Sequence, residues 1–423
     1  MLSDVLKIYE HEEKYLVLNP TVPAWIVTDI NGVLAVKCYA EANNPTSAAE
    51  AFCQKLDYIS PSSILKFYQL ATERQLFTIQ EPYTYGGDIL HSVYFNMSAS
   101  CNFSCSYFFA EEREEFGEGK LTYEDYQRIL DAFKKENYSM TITFTGGEPL
   151  ISPLSIPVAN YAKNLGFETF LLTNGSLITK DNVGELLEAF DHFKISIDGS
   201  TPELFGKYRG VENYSKVMQG IELLTENKAD VAVAMVVTKD NVHDTAKMTE
   251  KWGSRLNFMP LFPMGNALTQ EEDKALTGEE YYTALSQDAR IEPFSDIINI
   301  LTRENPKPIM KCAMGNGEVS ISATGDVYPC QLLHKAKYLL GNVHETDIIT
   351  IITSDKAKEL GEHTVEKIAK CKNCDVRYIC GGACQARHES ETGSIDEVGE
   401  FCSYEKMGII RGIINHAKIM ELD

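Results

Sequence analysis

A chain of 423 residues with 44% apolar content is long enough for two or three domains and too apolar for disorder. Its formal net charge of −22 disfavours a nucleic-acid phosphate track, which needs clustered Lys and Arg, and reads first as a solubility device. The start, MLSDVLKIYEHEEKY, lacks the basic and apolar blocks of a signal peptide, and no apolar run reaches the length of a membrane span. The expectation is therefore a cytoplasmic protein with no membrane partner. In that compartment clustered cysteines read as metal or redox groups rather than disulfides.

Residues 1–86 predict a small α+β module of winged-helix type. Tyr15-Leu-Val-Leu18 reads as a strand, and Ala24-Trp-Ile-Val27 lies near a second strand or a helix start. Apolar spacing predicts helices over 47–56 and 61–74. A βα alternation begins at Ile89. Strands are expected at 93–97, 140–145, 167–172, 193–198, 230–238 and 256–261, with helices at 122–137, 157–164, 180–189, 214–226 and 243–252 between them. Six βα units in a row predict an α/β fold, a parallel sheet closed into a partial (β/α)6 barrel over 88–268. Most of the polar and Gly-rich motifs fall just past strand C-termini, the face that carries chemistry in parallel barrels. Residues 269–308 read as a linker and helical bridge. A hairpin (318–322 with 326–328) opens a cysteine-rich region over 309–423, which closes with a helix at 404–420.

Seven of the 11 cysteines lie in the last third: Cys312, Cys330, then Cys371-x2-Cys374-x5-Cys380-x3-Cys384, then Cys402. Seven thiolates are too many for one tetrahedral zinc and one short of two four-thiolate clusters. Upstream, Cys101-Asn-Phe-Ser-Cys105-Ser-Tyr107-Phe108 holds two cysteines where a three-cysteine cluster loop has Phe108 as its third position. Gly146-Gly147-Glu148-Pro149, Thr173-Asn174-Gly175 and Ser196-Ile-Asp198-Gly199 follow on successive strands, and Arg209 comes after them in Lys207-Tyr-Arg209-Gly210. Singly each is only a turn; the order is what carries information. Cys38 and Cys53 read as buried structural thiols, and no pair of histidines stands out, His334 and His388 included.

The seven-cysteine series resembles the SPASM domain, which holds two auxiliary [4Fe–4S] clusters. The resemblance implies that Cys312, Cys330 and Cys384 bind auxiliary cluster I, leaving an iron open, and that Cys371, Cys374, Cys380 and Cys402 bind auxiliary cluster II. The barrel motifs resemble the radical S-adenosylmethionine family. There a C-x3-C-x-aromatic-C loop holds a [4Fe–4S] cluster that binds and reductively cleaves S-adenosylmethionine to a 5′-deoxyadenosyl radical. Cys101 and Cys105 would be cluster ligands and Tyr107 the aromatic beside adenine. Gly146, Gly147, Glu148 and Pro149 would meet the methionine amino group. Asn174 ends its strand as the family does, Ser196 and Asp198 resemble ribose contacts, and Arg209 resembles a carboxylate partner. Phe108 cannot ligate iron. It marks a variant or engineered copy of an active enzyme, a natural pseudoenzyme, or a site with a substitute ligand; the intactness of the other mapped positions favours the first.

The N-terminal unit resembles the peptide-recognition element of enzymes that modify ribosomally made peptides, on Tyr15 to Pro20, the helix at 48–56 and residues 64–77. The family therefore implies a ribosomal precursor peptide as partner, bound by strand addition, and an electron donor such as flavodoxin or ferredoxin. The implied reaction is peptide maturation, with cysteine thioether cross-linking suited to the open auxiliary iron. The alternatives are a carbon–carbon cross-link, sulfatase-type maturation, and a catalytically inactive peptide-binding protein with structural clusters. Sulfatase maturases usually carry Asp where this chain has Gln331, and they lack the N-terminal unit.

Overall fold

The computed structural model describes residues 2–42, 44–56, 58–87, 89–107, 120–262, 264, 265, 267, 274–286, 307–417, 419 and 420. Phe108 and most of the expected 269–308 bridge lie outside them. The chain forms two compact units, one from Met1–Tyr85, Glu292–Cys312 and Thr364–Asp423, the other from Gly86–Ile291 and Ala313–His363.

The first unit is built on a four-stranded sheet. Strands β1 (Lys7–His11), β2 (Lys14–Asn19) and β3 (Ala24–Thr28) form an antiparallel meander. Three helices follow, Ile30–Ala42, Pro45–Cys53 and Pro61–Glu73. The last two start as their sequences dictate: Asn44 and Ser60 cap them with side-chain acceptors, and a proline fills the first turn where no N–H is needed. Val17, Ile26, Phe52, Phe67 and Tyr68 join in one buried core. The expectation of a closing helix to residue 420 is corrected. The helix runs Phe401–His416, Ala417 is extended, and Ile419–Met420 pairs in parallel with β3 as the last strand among the described residues, β13. The Thr28 hydroxyl donates to the Met420 carbonyl at 2.6 Å, and the Met420 side chain enters the core.

The second unit carries a nine-stranded sheet. Six strands lie side by side and parallel: β4 (Ser92–Ser98), β5 (Thr141–Gly146), β6 (Glu168–Thr173), β7 (His192–Ser196), β8 (Asp230–Val237) and β9 (Leu256–Pro260). β10 (Glu318–Ile321) adds in parallel to the outer edge of β4 and turns back through β11 (Asp326–Tyr328) to β12 (Gly341–Asn342). The covering helices obey local rules. Tyr123–Lys135 starts with a Thr122–Asp125 capping box, has acids in its first turn and lysines in its last, and buries Tyr126, Ile129, Leu130 and Phe133 at helical spacing. Among the described residues no helix is long and apolar enough to cross a membrane.

Candidate active site and cluster-binding cysteines

The strand ends of the second unit assemble the site. β4 ends at Ser98, and the chain turns there into the cysteine loop. The end of β5 abuts that turn: Gly147 N–H donates to the Ser98 carbonyl at 2.6 Å, and Glu148 N–H to Ser100 at 3.0 Å. A Cβ on Gly146 or Gly147 would overlap the carbonyl oxygens of Ser98 or Ser100, and Gly146 also has φ +130°, so only glycine allows this approach. The next residue, Glu148, is fully buried. Its carboxylate accepts from Leu150 N–H (3.0 Å), the Thr173 hydroxyl (2.8 Å) and Asn174 N–H (2.8 Å), tying β5 to the end of β6. Burial pushes its carboxyl pKa up, against these three donors. Asn174 passes the order on. Its amide donates to Asn102 Oδ1 at 2.9 Å and to the Cys101 sulfur at 3.8 Å, and Phe103 N–H reaches the same sulfur at 3.4 Å. Burial raises the Cys101 thiol pKa, and the Phe103 N–H opposes it.

The end of β7 builds a second knot. The fully buried Asp198 accepts from the Tyr107 hydroxyl, from Arg209 Nε and from Val236 N–H at 2.9 Å. The Arg209 guanidinium lies 5.5 Å from the Tyr107 ring centre, and Tyr107 packs on Tyr208 at 5.2 Å. Burial drives the Tyr107 pKa well above its ordinary value. Burial alone would lower Arg209, but the charges of Asp198, Tyr107 and Cys105 and the Asp198 hydrogen bond together outweigh it, and the net shift is upward.

These elements enclose a cavity of roughly 680 Å³. Cys101, Cys105, Tyr107, Asn174, Ser196 and Arg209 line it, as do Gly146 and Gly147. Glu148, Pro149 and Asp198 are absent from its wall. Asp198, expected at a ribose, turns its carboxylate toward Tyr107, Arg209 and β8, and Glu148, expected at the methionine amino group, accepts from Asn174 N–H.

In the first unit Cys371, Cys374, Cys380 and Cys402 lie within electrostatic reach of one another. Burial, then the charges of Cys402 and Cys374, push Cys371 to about 12. Burial drives Cys380 well above its usual value, with Glu405, Cys402, Cys374 and Cys371 adding to it. Gly381 and Gly382, at φ +66° and +84°, turn the chain sharply after Cys380. Among the described residues no three His, Cys, Asp or Glu side chains converge on a single ion; the four thiols stand as an open group. Cys384 and Cys312 belong to the same unit, and Cys330 follows β11 in the second unit, where Leu332 N–H donates to its sulfur at 3.4 Å.

Residues 95–251 match the radical SAM superfamily, and residues 312–375 match the SPASM iron–sulfur cluster-binding domain. The chain carries a radical SAM domain and a SPASM domain.

Among curated relatives of this two-domain chain is an AdoMet-dependent heme synthase of Oleidesulfovibrio alaskensis, 28% identical over 76% of the chain and 89% of the relative. Another is a cysteine-type anaerobic sulfatase-maturating enzyme of Clostridium novyi, 27% identical over 72% of the chain and 90% of the relative. Among solved structures, Streptococcus suis SuiB bound to precursor peptide SuiA has the same fold, with a TM-score of 0.56 at 16% identity over 93% of this chain and 97% of that one.

The two domains imply [4Fe–4S] clusters and S-adenosylmethionine as cofactors. The residues present fit them in two places. N–H donors aimed at the Cys101 sulfur are what a cluster thiolate needs. Cys371, Cys374, Cys380 and Cys402 lie close enough to act on one another electrostatically, as thiolate ligands of one centre would, and coordination would remove their protons outright.

Sequence reasoning missed Asn102 and Lys194. Asn102 receives the Asn174 amide and donates to Ser176 Oγ at 2.8 Å. Lys194 lines the cavity two residues before Ser196 on β7. Strand alternation was the available signal: Ser196 marks the cavity-facing register, and Lys194 shares it.

Proposed function

We propose that this protein matures a ribosomally made precursor peptide, that the module at 1–86 recognises the precursor, and that cysteine thioether links are formed. The observation that carries this reading is the N-terminal meander and its three helices. They form one compact unit with Cys312, Cys371, Cys374, Cys380, Cys384 and Cys402, and the likeness to SuiB extends over 93% of the chain, a share too large to leave the module out. The sulfatase-maturating relative matches 72% of the chain, and Gln331 stands where such enzymes usually carry Asp.

When bound, the clusters and S-adenosylmethionine supply one-electron reductive cleavage of the sulfonium and hydrogen abstraction from the substrate. The chain's own residues bind and orient. Cys101 and Cys105 hold the catalytic cluster, with Asn174 and Phe103 N–H supporting the Cys101 sulfur. Gly146, Gly147, Glu148 and Pro149 fix the end of β5 against that loop. Arg209, held by Asp198, meets the methionine carboxylate, Ser196 meets the ribose, and Tyr107 bounds the adenine. Cys312, Cys330 and Cys384 hold auxiliary cluster I; Cys371, Cys374, Cys380 and Cys402 hold auxiliary cluster II. A flavodoxin or ferredoxin supplies electrons. Phe108 leaves the catalytic cluster one thiolate short, so this sequence is impaired at the S-adenosylmethionine step.

The test is mass spectrometry of a precursor peptide after anaerobic incubation with the native chain and with Phe108→Cys. Each thioether replaces one S–H and one C–H, so the peptide should lose a hydrogen pair per link, with the Phe108→Cys chain only. An unchanged peptide with both proteins, despite loaded clusters and deoxyadenosine release, overturns the peptide reading. A second reading, radical chemistry on a tetrapyrrole, is favoured by the 28% identity to the heme synthase; turnover of a porphyrin and not of the peptide would select it.

A further inference from the structure

The first unit brings its N-terminal sheet into contact with the cysteine segment at 371–380. On β1 the residues Lys7, Tyr9 and His11 share one half-buried face, while Ile8 and Glu10 face solvent. The Tyr9 hydroxyl donates to the carboxylate of Asp375, 366 positions away. Asp375 directly follows Cys374. The same carboxylate oxygen receives Lys406 Nζ at 3.0 Å, and the Lys406 ammonium lies 5.7 Å from the Tyr9 ring centre. Lys406 is one helical turn past Cys402 in the helix Phe401–His416, so the two share a helix face.

Tyr9, Asp375 and Lys406 therefore form a closed group between a Cys374 neighbour and a Cys402 neighbour. The other charged groups that act on these cysteines are also in this unit: Arg387, paired with Glu405, and Lys370, which acts on Cys371 and Cys402. Lys7 adds a positive charge near Asp375.

Resting on the assignment of Cys371, Cys374, Cys380 and Cys402 to auxiliary cluster II, we propose that Tyr9, Asp375 and Lys406 are positioning residues that set the reduction potential of that cluster, with the N-terminal sheet supplying Tyr9. The physics is Coulombic. A carboxylate beside a cluster disfavours the added electron, and a hydroxyl donor or an ammonium on that carboxylate offsets it. The sheet read as the peptide-binding module thereby touches the charge environment of the cluster through one hydroxyl.

The test uses the full chain, reconstituted anaerobically, with Cys330→Ala to remove auxiliary cluster I, and EPR-monitored redox titration with iron and sulfide analysis of each variant. Tyr9→Phe and Lys406→Met should each lower the midpoint potential, and Asp375→Asn should raise it. In the Asp375→Asn background, Tyr9→Phe should shift the potential much less than it does alone. Potentials that do not move, shifts of one sign in all three variants, or an equal Tyr9→Phe shift in both backgrounds overturn the proposal. Loss of iron in Tyr9→Phe alone also overturns it, in favour of a purely structural contact. Absence of iron and sulfide from the unsubstituted chain as well would sink the cluster assignment itself, a separate outcome.

Discussion

The buried knot at the end of β7 supports a quantitative prediction. In Asp198→Asn the Val236 N–H keeps an acceptor of the same shape, but Arg209 is left buried without its counter-charge. Breaking such a pair from one side costs about 3 kcal/mol at the low end of the measured range. With a urea dependence of about 3 kcal/mol per molar for a unit of this size, the unfolding midpoint of the second unit should fall by about 1 M. Trp25 and Trp252 are the two tryptophans, one in each unit. In a Trp25→Phe background, Trp252 fluorescence therefore follows the second unit alone. Arg209→Met added to Asp198→Asn replaces an orphaned charge by an apolar chain of similar reach and should restore most of the loss, giving a large favourable coupling in the double-mutant cycle. A midpoint shift below about 0.3 M for Asp198→Asn, or a double variant as unstable as the sum of the singles, would refute the assignment of Asp198 as the counter-charge of Arg209.

Phe108→Cys should raise iron by roughly four atoms per chain, the stoichiometry of one further cluster, and switch on S-adenosylmethionine cleavage; iron analysis and deoxyadenosine chromatography check both. Glu148→Ala removes the acceptor of Asn174 N–H and the Thr173 hydroxyl, so S-adenosylmethionine binding to the reconstituted Phe108→Cys chain should weaken at least tenfold by equilibrium dialysis, about 1.4 kcal/mol or more, as for a buried hydrogen-bond group left unpaired. At the opposite strand ends, His192 sits between Glu168 (2.8 Å) and Asp230 (2.6 Å) and stacks on Phe170. Burial alone would lower its pKa, but the hydrogen bonds and charges of Glu168 and Asp230 outweigh it, and the net shift is upward. Its stabilising contribution is therefore complete below the unfolded pKa near 6.5 and is lost as pH rises through the higher folded value. The stability gap between the native chain and His192→Gln, read by urea titration, should shrink across that interval; a gap that widens with pH would contradict the sign.

The strands and helices of the second unit are legible because their determinants are local. The βα alternation, the capping box at Thr122 and the turn chemistry at strand ends need no distant partner, and the observed strands fall within a residue or two of the expected ones. Elements with mixed patterns were not legible. β1 carries Lys7, Glu10 and His11, and the helix Ile30–Ala42 contains glycine and β-branched residues, so neither shows a clean period. The two-residue β13 exists only because β3 offers an edge and a hydrophobic slot for Met420.

The amino-acid sequence by itself determined the chemistry: which thiols are present, at what spacing, and on which strand ends the polar motifs fall, since a ligand set is a matter of residue type and local reach. Tertiary structure alone decided how those residues are used. It turned Asp198 inward to Tyr107 and Arg209, made Glu148 the tie between β5 and β6, set β10 beside β4, and brought Tyr9 to Asp375. Periodicity specifies the face a residue presents and carries no information about the partner it meets; that choice is made by long-range packing, where a buried charge or an unpaired strand edge must find its complement.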